Sequence, residues 1–219
     1  MKFRCSSIGK LMTEPRSKSE GPLSTGAKTY IRELAAQEIF GVDFTISSKA
    51  IEKGIECEDD SIMLLNRVRG LDLKKNAERR SNEFITGECD LFDADRKRGH
   101  DIKTSWSMAT FPIVSADCED KLYEWQMRGY MALWDADEWE VNYCLVDTPD
   151  RLIGFEPMDM HFVSNIPEWM RVTTWLVKRD MEKEAAIFEK VKHARDYLKQ
   201  VIAEFDQTHQ CRGELLKAA

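Results

Sequence analysis

Apolar positions recur every three to four residues over most of the chain and alternate with polar ones over its middle, which predicts helices around a short run of strands. Residues 4–23 mix Ser, Gly and Pro with bases and read as irregular, with one short helix around residues 8–12. Ser24 or Thr25 then caps a helix whose Ile31, Leu34, Ala35 and Ile39 share a face and which Gly41 ends. A second helix follows Ser47-Ser48, with Ile51, Ile55, Ile62 and Leu65 on one stripe that Glu58 interrupts. From Glu83 the period shortens to two. Residues 84–86 and 91–92 read as strand, 93–99 as a polar turn and 100–106 as a returning strand, together a β-hairpin. Beyond Asp120, Tyr123, Met127, Tyr130, Met131 and Trp134 fall on one helical face, and residues 139–146 alternate as a buried strand. Thr148-Pro149-Asp150 marks a turn before a last strand at 152–155. Asn165-Ile166-Pro167 opens a helical stretch to about residue 205, broken near 179–183, whose Trp169, Trp175, Phe188, Val191, Leu198, Ile202 and Phe205 cover the sheet. The pattern is that of an α/β fold, a mixed β-sheet flanked by helices.

The chain has 219 residues and a formal net charge of −7, which by itself disfavours a nucleic-acid partner because phosphate binding draws on Lys and Arg. That charge is uneven. The first 32 residues hold seven bases against two acids, leaving −12 on the remaining 187. Residues 117–140 hold eight acids against Lys121 and Arg128, and on a DNA enzyme these should face away from the DNA path. The longest uncharged stretch, 104–116, is too short for a membrane span, and no secretory signal is expected at the amino terminus. Six cysteines, at 5, 57, 89, 118, 144 and 211, include no C-x-x-C pair. Reduced thiols are expected, rather than a zinc or iron–sulfur site.

The candidate chemistry lies in the hairpin. Asp101 and Lys103, two apart on a strand, leave the same face while Ile102 points into the core. Pairing about a midpoint between Asp95 and Arg96 sets Asp90 nearly opposite Asp101, and two like charges at cross-strand distance repel. A divalent cation such as Mg²⁺ would neutralise them, with Glu58 and the backbone carbonyl of Ile102 as further ligands. Lys103 beside such a site would assist a water attacking a phosphodiester and stabilise the charge that develops. Each piece has a plainer reading. Glu58 belongs to the acidic run 56–60 and fits a solvated face, an isolated D-x-K fits a surface ion pair, and Gln126 fits a hydrogen-bonded core amide. Trp106 to Pro112 suits either a loop beside the site or simple core filling.

The ordered set is more specific: Gly54-x-x-x-Glu58, Gly87-Glu88-Cys89-Asp90, Asp101-Ile102-Lys103 and Tyr123-x-x-Gln126. It resembles the PD-(D/E)xK nuclease superfamily and, within it, the lambda-exonuclease-like, YqaJ-type phage recombination exonucleases. Cys89 stands where the family has Pro, and Asp101 where Glu is commoner. Ser6-Ser7 followed by Pro15-Arg16-Ser17 also resembles the family's phosphate-contacting segment, which makes Arg4, Ser6, Arg16 and Lys28 candidate DNA-phosphate contacts. The resemblance implies a restriction-endonuclease-like core with a helical C-terminal extension. It also implies one nuclease domain over 1–219: a basic segment and helix to 46, a catalytic core at 47–160, and C-terminal helices at 165–208.

The implied activity is Mg²⁺-dependent 5′ to 3′ digestion of linear double-stranded DNA, with two ions and Mn²⁺ as a substitute. Glu58, Asp90, Asp101 and the Ile102 carbonyl would bind metal, and Lys103 and Gln126 would complete the catalytic set. A homotrimeric ring, a single-strand annealing protein as partner and the cytosol of a phage- or prophage-bearing bacterium complete the expectation. The rivals are an endonuclease of the same superfamily, restriction-like or a resolvase, and a non-catalytic DNA-binding recombination scaffold.

Overall fold

The computed structural model describes residues 1–44 and 47–218, without the side chains of Lys18 and of residues 211–218. In chain order the elements are β1 (Phe3–Arg4), α1 (Cys5–Leu11), α2 (Thr25–Phe40), α3 (Lys49–Glu56), α4 (Glu58–Arg69), β2 (Arg79–Ser81), β3 (Ile85–Glu88), β4 (Leu91–Asp93) and β5 (Arg98–Thr104). There follow α5 (Lys121–Trp134), β6 (Glu138–Cys144), α6 (Asp150–Ile153), β7 (Val172–Lys178) and α7 (Met181–Ala218). Two sheets form, one in the order β1-β3-β2 and one in the order β4-β5-β6-β7. β5 pairs antiparallel with β4 and parallel with β6, so α5 is the crossover that a parallel pair requires. This is the expected α/β fold, a mixed sheet flanked by helices.

Local signals account for the helices that matched expectation. Ser24 Oγ accepts from Ala27 N at 3.0 Å and Gly41 ends α2 in the left-handed region. Asp120 Oδ1 accepts from Leu122 N and Tyr123 N at 2.7 and 3.0 Å and starts α5. The larger core lies under α1, α2, α5 and α7, with Trp139 and Val141 of β6 at its floor. A smaller core joins α4 to the opposite face of the four-stranded sheet through Ile62, Leu65, Leu91 and Ile102. The five described cysteines are free and buried, and the side chain of Cys211 lies outside the described residues. No described helix is long and apolar enough to cross a membrane.

Three expectations are corrected. The helix beginning after Ser48 is two helices, broken at Cys57; α3 leaves Ile51 and Ile55 45% and 73% exposed and buries Lys53 instead. Residues 152–155, read as strand, are not one: Asp150–Ile153 form the short helix α6, which follows Pro149. Residues 172–178, read as the first part of the C-terminal helices, are β7, because Val172, Thr173, Thr174 and Val177 form a β-branched run that favours a strand. The expected break near 179–183 is where α7 begins, with Asp180 Oδ1 accepting from Glu182 N and Lys183 N.

Lys53 ties α3 to the sheet. Its side chain is fully buried, and Nζ donates to Ser105 O at 2.7 Å, Val146 O at 2.9 Å and Trp106 O at 3.0 Å, just past the ends of β5 and β6. Burial drags its pKa from 10.5 down to about 8. The folded chain therefore gives up this proton at a lower pH than the unfolded one, and its stability gains from the group as pH rises from about 8 toward 10.5. The difference in unfolding free energy between wild type and Lys53→Met should increase over that window in urea titrations; a flat difference would contradict this. Gly99 of β5 lies against Trp139, whose ring carbons stand 2.2–2.3 Å from where a Cβ would be. Gly99→Ala should cost about 1–3 kcal/mol by forcing the buried indole aside, read as a lower urea midpoint at unchanged m-value.

Candidate active site

β5 alternates, so Asp101 and Lys103 face α5 while Arg98, His100 and Ile102 face α4. The register with β4 pairs Leu91 with His100, Phe92 with Gly99 and Asp93 with Arg98. Continued one step, it sets Asp90 across from Asp101, as the hairpin midpoint requires. Asp90 Oδ2 accepts from Ile102 N at 2.6 Å, which locks this carboxylate to the strand that carries the other. From α5, Gln126 Nε2 donates to Asp101 Oδ1 and to Tyr130 Oη, both at 3.2 Å, and Tyr130 Oη donates to Glu88 O at 3.0 Å. Gln126 is thus a buried amide whose donors are spent on the carboxylate and on the tyrosine that braces β3.

Lys103 Nζ stands 2.7 Å from Asp101 Oδ2 and 4.3 Å from the centre of the Tyr123 ring, a cation–π contact. The ion pair lacks hydrogen-bond alignment, so Asp101 Oδ2 is a buried oxygen with no hydrogen-bond donor. Burial first, and the charge of Asp101 next, push Asp90 well above the usual carboxylate range, with Glu58 adding to the effect. Burial works against the Lys103 ammonium, but Asp101, Tyr123 and Asp90 together hold it above the ordinary lysine value. One ammonium thus faces two crowded carboxylates, an arrangement short of positive charge.

Glu58 is the first residue of α4 and one-quarter exposed, and its Oε2 takes Lys75 Nζ at 2.5 Å. Among the described residues no three His, Cys, Asp or Glu side chains group closely enough to hold a metal by themselves. The donors that do come together, Asp90 and Asp101, are both carboxylates bridged through the Ile102 backbone. They suit an ion such as Mg²⁺ that takes one or two carboxylates and keeps several waters, and the orphaned Asp101 Oδ2 offers it a lone pair. Adjacent Cys89 adds no thiolate, because burial and then Asp90 raise its pKa to about 12.

The four candidate phosphate contacts do not converge. Arg4 and Ser6 line a hollow of about 150 Å³ with Arg79, Glu88 and Tyr130, one side chain behind Gln126. Arg16 and Lys28 sit instead at the 13–24 loop, where Glu20 Oε2 accepts from Arg16 N at 3.2 Å and Lys28 Nζ donates to Glu20 O at 3.1 Å. Trp106 is half-buried, with its Nε1 donating to Glu156. Lys53, Lys75 and Tyr130 were not singled out from sequence as site residues. Tyr130 had a usable signal, four residues after Gln126 on the same helical face. The other two had none.

No family model matches the chain, and no curated protein does. Among solved structures, a phage-related exonuclease from Haemophilus somnus is 39% identical over 94% of this chain and 96% of its own, with a TM-score of 0.88. The alkaline exonuclease LHK-Exo from Laribacter hongkongensis shares the fold at 18% identity over 98% of this chain and 94% of its own, with a TM-score of 0.65. The same enzyme in complex with dAMP aligns at 18% identity over 95% and 93%, with a TM-score of 0.67. With an exonuclease 39% identical over nearly its whole length and the nuclease motif set arranged along β4, β5 and α5, this chain belongs to the phage-related exonucleases of the lambda-exonuclease-like, YqaJ type.

Proposed function

We propose that the chain is a single nuclease domain that digests linear double-stranded DNA from 5′ toward 3′ with a divalent metal, exposing a 3′ single strand for annealing-based phage recombination. The observation that carries the metal-dependent hydrolysis is the pairing of Asp90 and Asp101 around the Ile102 backbone, with Lys103 and Gln126 in contact with Asp101. Asp90, Asp101 and the Ile102 carbonyl would hold Mg²⁺, as one ion or two with Mn²⁺ as a substitute, and Glu58 would join them by leaving Lys75. Such an ion supplies a Lewis acid for the phosphate oxygens and lowers the pKa of water at the site. Gln126 fixes the orientation of Asp101. Lys103 presents an ammonium, steadied by Asp101 and the Tyr123 ring, as a donor to the attacking water and a positive charge for the attacked phosphate. Tyr130 braces Gln126 against β3. The 5′ to 3′ direction, the trimeric ring, the annealing-protein partner and the host cytosol are supported by the motif resemblance.

Chelation with EDTA should abolish digestion of linear duplex DNA, and added Mg²⁺ should restore it, while covalently closed circles stay intact in either case. Cleavage of closed circles would favour the endonuclease reading, and absence of all metal-dependent cleavage would favour the scaffold. Lys103→Ala should lower the single-turnover cleavage rate by about 10²–10³-fold, the scale of losing one charge-stabilising donor, with DNA affinity and the fold largely intact. Gln126→Ala should cost less, because Asp101 keeps its place on the strand. A Lys103→Ala rate equal to wild type would overturn the assignment.

A further inference from the structure

The face of β5 turned away from the carboxylate pair carries an arginine-rich cluster of ion pairs. Arg98 and His100 project toward α4, whose last residue is Arg69, and all three meet Glu140 of β6, a side chain only 3% exposed. Glu140 Oε1 accepts from Arg98 Nη1 at 3.0 Å and from Arg69 Nη2 at 3.1 Å, and His100 Nδ1 lies 3.2 Å from Oε2. Burial opposes ionisation of Glu140, yet His100 and Arg69 pull its carboxyl down to about 2. One buried carboxylate therefore holds two guanidiniums and an imidazole in fixed positions. Arg98 Nη2 also pairs with Glu138 at 2.5 Å, and Arg96 Nη1 with Asp93 at 2.9 Å.

A hollow of about 210 Å³ opens over this group, lined by Arg69, Leu71, Arg96, Arg98 and His100. No carboxylate lines the hollow. Arg98 Nε is buried without a hydrogen-bond acceptor, while His100 Nδ1 faces Glu140 Oε2. Desolvating such a cluster is costly, and replacing buried ion pairs with apolar side chains is often neutral or stabilising, so the packing of the sheet does not call for it. Rigid guanidinium forks gathered on one opening match a tetrahedral oxyanion, and the volume falls below the range of pockets that enclose a drug-sized ligand.

We propose that this hollow is a phosphate-binding site, distinct from the carboxylate site and set on the other face of the same strand. The phosphate comes either from the backbone of a bound DNA strand, a source that rests on the exonuclease reading, or from free phosphate, a source that does not. The first test titrates the full chain with inorganic phosphate at constant ionic strength, with chloride as control, and follows the arginine Nε and histidine ring nitrogens by NMR. Saturable shifts at Arg69, Arg98 and His100 are expected, weakened about fivefold or more in Arg96→Gln, whose exposed side chain lies outside the Glu140 group; a charge-keeping Arg69→Lys variant is the second probe. Shifts that chloride reproduces, or none, would overturn the site whether or not the protein cleaves DNA. The second test measures DNA affinity in EDTA against salt. If a strand phosphate is the source, Arg96→Gln flattens the slope of log K against log salt by about 0.7–0.9. Saturable phosphate shifts with an unchanged slope assign the site to free phosphate.

Discussion

The structure depends on a repulsion that its own backbone enforces. Once β4 pairs with β5 in the register Leu91 to His100, Asp90 and Asp101 must share one face, and the 2.6 Å bond from Ile102 N holds Asp90 there. Everything on that face answers this concentration of negative charge. Lys103 leans on Asp101, the Tyr123 ring stabilises the ammonium from its other side, and α5 delivers Gln126 against the remaining oxygen. The parallel pairing of β5 with β6 requires a crossover, and the crossover helix is the element that brings Tyr123, Gln126 and Tyr130 to the site. Lys53 secures the far end of β5 by bonding the carbonyls just beyond it, so the helix ahead of Glu58 and the strand of Asp101 share an anchor.

The same strand explains where the net charge of −7 goes. The acids of residues 117–140 do not form one outward sheet. Asp120 caps α5, Glu124 takes both Arg128 and Lys183, Asp135 takes Lys97 and Arg179, and Glu138 and Glu140 are tied to the arginine group behind β5. Several are compensated within the fold, and Glu140 is buried. The bulk figure therefore says little about the field at either face of β5.

What was legible in the sequence was local. The cap at Ser24 and the hairpin midpoint each depend on residues a few positions apart, and each was recovered. β1 and β2 were not, because strands of two and three residues with polar neighbours leave no alternation to detect. β7 was missed because Pro167 and the spacing of Trp169 and Trp175 imitate a helix start, whereas the β-branched run and the pairing with β6 decide for a strand. Lys53 runs against composition altogether: a lysine buried where two isoleucines on the same short helix stay exposed follows only from where three carbonyls happen to end.

Glu58 shows why a motif residue can look misplaced and still suit its role. Read as a step in an apolar stripe, it called for an internal partner. The break at Cys57 removes that requirement by placing Glu58 at the first turn of α4, where a carboxylate is favoured by the exposed N–H groups of the helix. Its pairing with Lys75 joins a half-exposed ammonium to a quarter-exposed carboxylate, and pairs of that kind contribute about 0–1 kcal/mol. Asp90 and Asp101, by contrast, are held by the backbone register and have no other arrangement open to them. In the proposed metal site, a cation held by the fixed pair would need only to outcompete this weak surface contact to draw in Glu58 as a third carboxylate.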